Sequence, residues 1–255
     1  MELPIARPPW TGLGKKIESA TRKALYDYKM LEDPLATMNS SQPTALAVAL
    51  SGGKDSLALL FMLKAILGRG FPLLDLHAIH VSGAYTCGAG VSLDYLRGIC
   101  EKLEVNFIVK EAHQKLEDLE CYSCSRTRRT LLFEAAKEVN ATTIAFGHHR
   151  DDHVQTLLMN LLHKGEFAGN LPKITMHDYG VTIIRPLIYI SEQEIKSFAK
   201  QQNFLRITCQ CPVGQNSMRK QVDNLMNDIE NLFPNARANL ASAGLLYGST
   251  KASQK

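Results

Sequence analysis

Apolar residues form two alternating patterns between residues 45 and 165. Short continuous apolar runs predict buried strands at residues 45–50, 73–81, 106–112 and 142–147. Apolar residues at helical spacing predict helices at residues 55–67, 93–103, 129–140 and 151–165. Strands that alternate with helices indicate a parallel sheet with right-handed crossovers. We therefore expect a Rossmann-like α/β fold, an open doubly wound parallel sheet with ligands at the carboxyl ends of its strands.

The two ends of the chain have less regular patterns. Residues 13–32 predict an amphipathic helix, and the turn-forming residues 33–44 predict a linker. From Ser191 onward the pattern predicts two helical segments around a loop that contains Cys209 and Cys211. We therefore divide the chain into an N-terminal helix with its linker, an α/β domain and a C-terminal helical segment, at residues 1–44, 45–190 and 191–255.

Composition narrows the class of protein. The chain has 255 residues, and its net charge of +4 permits a nucleic-acid partner without requiring one. No apolar run approaches the roughly 20 residues that a membrane span needs, and the N-terminus has no signal-peptide pattern. We therefore expect a cytoplasmic protein that does not bind membranes. In that reducing compartment the six cysteines are predicted to be thiols, metal ligands or catalytic sulfurs rather than disulfides.

A glycine loop, "SGGKDS" at residues 51–56, separates the first predicted strand from the first helix of the sheet. The glycines allow a sharp turn and a close approach of the backbone to a ligand. The helix that follows directs free N–H groups and its positive dipole end to the same place. Ser51 and Ser56 add hydroxyl groups, Lys54 adds a cation, and Asp55 adds a carboxylate able to hold Mg²⁺ through water. The loop therefore predicts a phosphate site, and the alternative is a tight strand–helix turn without a ligand.

A second polar cluster follows the predicted strand 142–147. The strand ends at Gly147, and Asp151 and Asp152 begin the next helix after His148. On a parallel sheet this strand end lies on the same rim as the glycine loop, which predicts one shared nucleotide site. Two alternatives are acidic residues that only cap the helix, and a mononuclear metal site that also uses the histidines of residues 148–153.

Cys121 and Cys124 have the C-x-x-C spacing of a metal-binding or redox pair. Arg126, Arg128 and Arg129 follow at once, and their charge would stabilise thiolates or contact RNA phosphates. The alternative is a solvated basic helix start beside incidental thiols. Elsewhere, Cys100 is predicted to pack in the core and Cys87 to be a loop thiol of unknown purpose.

The glycine loop resembles the PP-loop of the ATP pyrophosphatase superfamily, and Gly-His-x-x-Asp-Asp resembles its second motif. Together with "CYSCSRTRR" and "IIRPLIYISEQEI", these motifs are similar to the tRNA 2-thiocytidine biosynthesis family, TtcA, from about residue 15 to about residue 243. The resemblance implies an enzyme that adenylates the C2 oxygen of cytidine 32 in the tRNA anticodon loop and replaces it with sulfur. Family members carry a [4Fe-4S] cluster on three cysteines, with one iron open to the incoming sulfide.

The resemblance also implies roles for individual residues, with ATP, Mg²⁺ and the [4Fe-4S] cluster as cofactors. The expected catalytic residues are Lys54 and Asp55. The expected nucleotide-binding residues are Ser51, Gly52, Gly53, Lys54, Asp55, Ser56, Gly147, His148, Asp151 and Asp152. The expected cluster ligands are Cys121, Cys124 and a third cysteine, either Cys211 or Cys209, because "CQCPVGQ" departs from the family pattern by one residue.

The implied partners are tRNA and a sulfur donor, such as a cysteine desulfurase or free sulfide, and homodimers are common in the family. The loop "VSGAYTCGAG" lacks the acidic stretch expected after the second strand, which leaves the recognition of adenosine and substrate undefined. Three alternative functions stay open. They are a lysidine synthetase, a tRNA 2-thiouridine synthetase, and a non-catalytic RNA-binding protein that retains ATP as a structural ligand.

Overall fold

The computed structural model describes residues 3–32, 45–83, 90–113, 121–205 and 218–250. The strands are β1 Ala45–Ala49, β2 Asp75–Ser82, β3 Asn106–Glu111, β4 Thr143–Ala145, β5 Lys173–Met176 and β6 Val181–Ile184. The helices are α1 Gly12–Asp27, α2 Lys54–Ile66, α3 Leu93–Leu103, α4 Cys121–Glu138, α5 Arg150–Lys164, α6 Glu192–Gln201, α7 Met218–Leu232 and α8 Ala236–Tyr247.

The strands of this part of the chain form one sheet in the order β3-β2-β1-β4-β6-β5. Every neighbouring pair is parallel except β5 and β6, which are antiparallel at one edge. The predicted doubly wound parallel sheet is therefore confirmed, and the structure adds two strands that the sequence did not predict, β5 and β6. The pattern did not predict β5, because four half-buried edge residues give little apolar signal.

Alternation along the strands directs apolar side chains to both faces of the sheet. In β1, Leu46 and Val48 belong to a core shared with α1, α2, α3 and α6, whereas Ala45 and Ala47 belong to a core shared with α4. Helix α2 is buried almost all round, because it lies between the sheet and the layer formed by α1 and α6. The glycine loop is thus anchored to the most buried helix of the described chain.

Three features of the helices differ from the sequence prediction. Helix α1 ends at Asp27 rather than at residue 32. Helix α4 begins at Cys121 rather than at residue 129, so the cysteine pair lies inside the helix. The described C-terminal region contains three helices rather than two, because Pro234 interrupts the helical conformation between α7 and α8. The predicted linker 33–44 and the loop with Cys209 and Cys211 lie outside the described residues.

Helices α7 and α8 pack on α5 through a third, smaller apolar cluster. Val154 and Leu158 of α5 meet Val222 and Met226 of α7, and Ala241 of α8 completes the cluster. This packing holds the start of α7 beside the amino end of α5. No helix in the described ranges is both long enough and apolar enough to cross a membrane.

Candidate nucleotide site

The glycine loop is fixed by its own hydroxyl groups. Gly52 has a φ of +85°, a conformation that favours glycine, and its amide donates to Ser56 Oγ at 3.1 Å. The amide of Gly53 donates to Ser51 Oγ at 3.4 Å, and the two hydroxyl oxygens lie 3.1 Å apart. Ser56 Oγ also contacts the carbonyl oxygen of Gly53 at 3.0 Å. The two serines therefore shape the loop, in addition to lying at the site.

The end of β4 lies directly against this loop, as the sequence predicted. Strands β1 and β4 are hydrogen-bonded neighbours, so their carboxyl ends share one rim. A Cβ atom on Gly147 would lie 3.0 Å from the backbone of both Asp55 and Ser56. Only glycine allows this close approach of the two polar strand ends.

A cavity of about 250 Å³ opens at this rim. Seven of the predicted residues lie in its wall: Ser51, Asp55, Ser56, Arg128, Gly147, His148 and Asp152. Arg219 of α7, which the sequence did not predict, also lines it. Apolar side chains, among them Phe146 and Leu132, form the rest of the wall. The arrangement is a polar cleft with two arginines, set in an apolar frame.

Four of the predicted nucleotide-binding residues are not part of the cavity wall: Gly52 and Gly53 of the glycine loop, and Lys54 and Asp151. The ammonium group of Lys54 is 3.0 Å from Asp55 Oδ2 and 3.1 Å from Glu192 Oε1. Burial lowers the pKa of Lys54, but the charges and hydrogen bonds of these two carboxylates outweigh it and the pKa is raised overall. Asp151 is buried and accepts a hydrogen bond of 2.5 Å from the amide of Glu192 at the start of α6. In this structure it caps a helix.

His149 connects the two motifs, although the sequence did not predict it to be part of the nucleotide site. Its Nδ1 accepts from the amide of Asp152 at 3.4 Å, which leaves the proton on Nε2. Nε2 lies 3.4 Å from Asp152 Oδ2 and 3.7 Å from Asp55 Oδ1. Burial raises the pKa of Asp152, but the neighbouring His149 and the hydrogen bond from its backbone amide outweigh burial, and the net shift is downward. The only sequence signal was the position of His149 immediately before a helix.

His148 stacks on Phe146 with ring centroids 5.7 Å apart and an interplanar angle of 13°. Its buried Nδ1 has no hydrogen-bond partner among the described residues. Burial lowers the pKa of His148 to about 3, and the positive charge of the nearby Arg185 acts in the same direction. The imidazole is therefore neutral at physiological pH and can offer a hydrogen bond to a ligand.

The cysteine pair lies near this cavity along α4. Cys124 is buried, and it precedes the wall residues Arg128 and Leu132 by four and eight positions, so all three share one helical face. Cys121 is the first residue of α4, and its side chain is outside the described part, as are Cys209 and Cys211. The predicted cluster ligands therefore stay a prediction.

Other predictions for single residues have clear outcomes. No group of three metal-ligating residues occurs in the described ranges, so the alternative of a mononuclear metal site at residues 148–153 was wrong for this part of the chain. Cys100 is completely buried in the core, as predicted, and burial raises its pKa to about 12. Arg126 and Arg129 are exposed on α4. Cys87 lies outside the described residues.

These features fit a nucleoside triphosphate with a divalent cation. The rim has a glycine loop at a helix start, two glycines that permit close backbone approach, and cationic side chains. Asp55 Oδ1 is buried without a hydrogen-bond partner in the described chain, which suits a cation held directly or through water. The neutral Nδ1 of His148 is a further free polar atom.

Comparisons with known proteins show the family to which the chain belongs. The model of the PP-loop domain family matches residues 15–208. The chain is 34% identical over 248 residues to the tRNA-cytidine(32) 2-sulfurtransferase of Bordetella avium, which covers 93% of this chain and 75% of that protein. It is 34% identical over 231 residues to the protein of the same name from Dechloromonas aromatica, with coverage of 87% and 76%.

A solved structure shares the fold. The U34-tRNA thiolase NcsA from Methanococcus maripaludis with its [4Fe-4S] cluster aligns with a TM-score of 0.71. Sequence identity is 23%, and the alignment covers 91% of this chain and 78% of the thiolase. The motifs, the geometry of the rim and the sequence matches thus agree. The chain belongs to the PP-loop domain family and, within it, to the family of the tRNA-cytidine(32) 2-sulfurtransferases.

Proposed function

We propose that the protein is an ATP-dependent tRNA sulfurtransferase that converts cytidine 32 of the anticodon loop to 2-thiocytidine. The observation that carries this proposal is the close packing of Gly147 against the first turn of α2, which places both PP-loop motifs at one cavity. The activity of the relatives, which are named tRNA-cytidine(32) 2-sulfurtransferases, indicates the substrate class.

In the first proposed step, ATP binds with its phosphates at the glycine loop and Mg²⁺ at Asp55. The C2 oxygen of cytidine attacks the α-phosphorus, the bond to the bridging oxygen breaks, and pyrophosphate leaves. The N–H groups at the start of α2 and the nearby cations stabilise the charge that develops on the phosphates. Lys54 is held by Asp55 and Glu192 at the edge of this site, where it can assist once a phosphate competes for it.

In the second step, sulfide attacks C2 of the activated base. The bond from C2 to oxygen breaks, AMP leaves with that oxygen, and a thiocarbonyl group remains. A [4Fe-4S] cluster bound by Cys121, Cys124 and either Cys211 or Cys209 would supply the sulfide, taken from a cysteine desulfurase or from free sulfide. The burial of Cys124 on the cavity-facing side of α4 supports a cluster next to the activated base. The apolar wall formed by Leu132 and Phe146 helps to exclude water, which would restore cytidine.

We further propose that α4 contacts the tRNA backbone. Arg126 and Arg129 are exposed on this helix, near the cavity, and can pair with phosphates. We also propose that nucleotide chemistry belongs to the middle part of the chain, residues 45–190. The N-terminal part is then residues 1–44, and the C-terminal helical part is residues 191–255. A cytoplasmic location and a homodimer are part of the same proposal.

The test is product analysis with anaerobically purified protein, unmodified tRNA, Mg²⁺-ATP and sulfide. We expect AMP and pyrophosphate in equal amounts, and 2-thiocytidine in the digested tRNA by mass spectrometry. Formation of ADP, or of thiouridine or lysidine instead of 2-thiocytidine, would contradict the proposal. Release of neither AMP nor pyrophosphate would support a non-catalytic RNA-binding protein instead.

Two variants separate the roles of the loop and the cysteines. Lys54→Ala should abolish pyrophosphate release and keep the iron–sulfur absorbance, whereas Lys196→Ala, which removes another partner of Glu192, should retain activity. Cys121→Ala should lose the absorbance and thiolation but still bind ATP, and Cys87→Ala is its control. A colourless but active Cys121→Ala protein would refute the ligand assignment.

A further inference from the structure

The glycine loop does not supply an unengaged cation to the nucleotide cavity. Lys54 is the cation that the sequence offers there, but its ammonium group contacts two carboxylates at 3.0 Å and 3.1 Å. Its positive charge is therefore balanced before any ligand arrives. A triphosphate needs cations that are closer to the cavity and less fully paired.

Two guanidinium groups meet this requirement. Arg128 and Arg219 both line the cavity, the first from α4 and the second from the first turn of α7. No carboxylate of the described chain forms an ion pair with Arg128. Among the described residues, Arg219 has one distant ionic contact, 4.0 Å from Nη1 to Asp152 Oδ1, and its side chain is half exposed. Both groups are thus free to turn toward an anion.

Their positions are fixed by packing rather than by a ligand. Leu132 and Phe133, one turn after Arg128, are buried in the core beneath the sheet. Helix α7 is docked on α5 through Val222 and Met226, the first of which lies one turn after Arg219. The charge of Arg219 also contributes to the low pKa of His148 in the same wall, behind the larger effects of burial and Arg185.

Helix α7 has a second fixing point. The buried guanidinium of Arg237, in α8, donates 3.0 Å hydrogen bonds to Asp223, Asn227 and Glu230. Three contacts along one helix restrict its rotation and sliding, so the start of α7 stays at the cavity. Arg219 is carried on this fixed part of α7, and its planar guanidinium offers paired N–H donors that match phosphate oxygens.

We propose that Arg128 and Arg219 bind the triphosphate of ATP from two different helices and supply cationic charge in addition to that of Lys54, which two carboxylates balance before ATP binds. This inference rests on the proposed function, and it reassigns Arg128 from tRNA phosphate to nucleotide phosphate. It also makes α7 a part of the nucleotide site, although its residues lie outside both sequence motifs. Arg126, two positions away on α4 and exposed, keeps the RNA role.

The test is titration calorimetry of the full chain with Mg²⁺ and the α,β-methylene analogue of ATP, which cannot transfer its adenylyl group. We expect Arg128→Gln and Arg219→Gln each to weaken the affinity about tenfold or more, as for a lost charge-assisted hydrogen bond. The matched control, Arg126→Gln, should bind the analogue within twofold of the wild type. The lysine variants of both arginines should lose less than the glutamine variants, and circular dichroism checks that every variant is folded.

A second titration, with tRNA alone, separates nucleotide phosphate from RNA phosphate. We expect Arg128→Gln to keep the wild-type tRNA affinity and salt dependence, whereas Arg126→Gln weakens both. Two results would overturn this inference but leave the proposed function intact. The first is unchanged analogue affinity in both glutamine variants. The second is weakened tRNA affinity together with unchanged analogue affinity in Arg128→Gln. Absence of analogue binding by the wild-type protein would instead refute the proposed function, and the inference with it.

Discussion

The replacement Gly147→Ala tests the close approach on which the nucleotide site depends. The new Cβ atom would lie 3.0 Å from the carbonyl carbon of Asp55 and 3.0 Å from the amide nitrogen of Ser56. Both contacts are with backbone, so no flexible side chain can move aside. The backbone that it meets is the first turn of α2, whose following residues are almost completely buried.

The expected cost follows from this geometry. Forcing one methyl group into a packed site costs about 1–3 kcal/mol, because the neighbouring elements must separate by a few tenths of an ångström. For a chain of this size, each kcal/mol lowers the melting temperature by about 2–4 °C. We therefore expect a melting temperature about 2–12 °C below that of the wild type. We also expect weaker binding of ATP, since the loop and the end of β4 no longer meet correctly.

The assay is thermal and urea unfolding followed by circular dichroism, together with a titration of Mg²⁺ and the ATP analogue. Gly53→Ala is the matched control. Gly53 has a φ of −70°, and its new Cβ would have only an ordinary contact of 3.6 Å with Ser51 Oγ. Its free energy of unfolding should therefore equal that of the wild type or exceed it by about 0.4–1 kcal/mol. An unfolding midpoint for Gly147→Ala that matches the wild type would refute the reasoning.

Three further predictions concern stability and reactivity. Arg237→Ala should lower the free energy of unfolding by about 2 kcal/mol in urea, because Asp223 and Glu230 lose a charged hydrogen-bond partner, and an unchanged midpoint would contradict this. The pKa of His148 is about 3 in the folded protein, so as the pH falls the imidazole is protonated in the unfolded chain before it is protonated in the folded one. The free energy of unfolding should therefore fall as the pH drops from about 6.5 toward 3, and His148→Gln should show a shallower fall in urea titrations at several pH values. Cys100, whose pKa is raised to about 12 by burial, should resist iodoacetamide at pH 8 until urea is added, as read by peptide mass spectrometry; rapid labelling of the folded protein would contradict its burial.

The sequence predicted the parts of the fold that depend on local patterns. The alternation of apolar runs and helical spacing predicted the four parallel strands β1 to β4 but not β6, and the two glycine-containing motifs predicted the shared rim. The antiparallel strand β5 escaped because its four residues are half-buried at the edge. The start of α4 was misplaced because its first turns are polar, and their helical state follows from the packing of later residues such as Leu132 and Phe133.

The missed site residues depend on contacts between distant segments. Glu192 reaches Lys54 only because α6 begins beside α5, where Asp151 accepts a hydrogen bond from the backbone amide of Glu192. Arg219 reaches the cavity only because α7 docks on α5. No local pattern carries such information. The position of Arg128, in contrast, could have been predicted from a local pattern. Arg128 follows Cys124 by four residues, so a helix predicted to begin at Cys121 would have placed both side chains on one face.

Adenylation of the base at this cavity is tested most directly by following one oxygen atom. A tRNA that carries ¹⁸O at C2 of cytidine 32 is incubated with the protein, Mg²⁺-ATP and sulfide, and the AMP is analysed by mass spectrometry. We predict one ¹⁸O atom in the phosphate of AMP for each 2-thiocytidine formed. Thiolated tRNA accompanied by unlabelled AMP would show that the oxygen leaves by another route and would contradict the account.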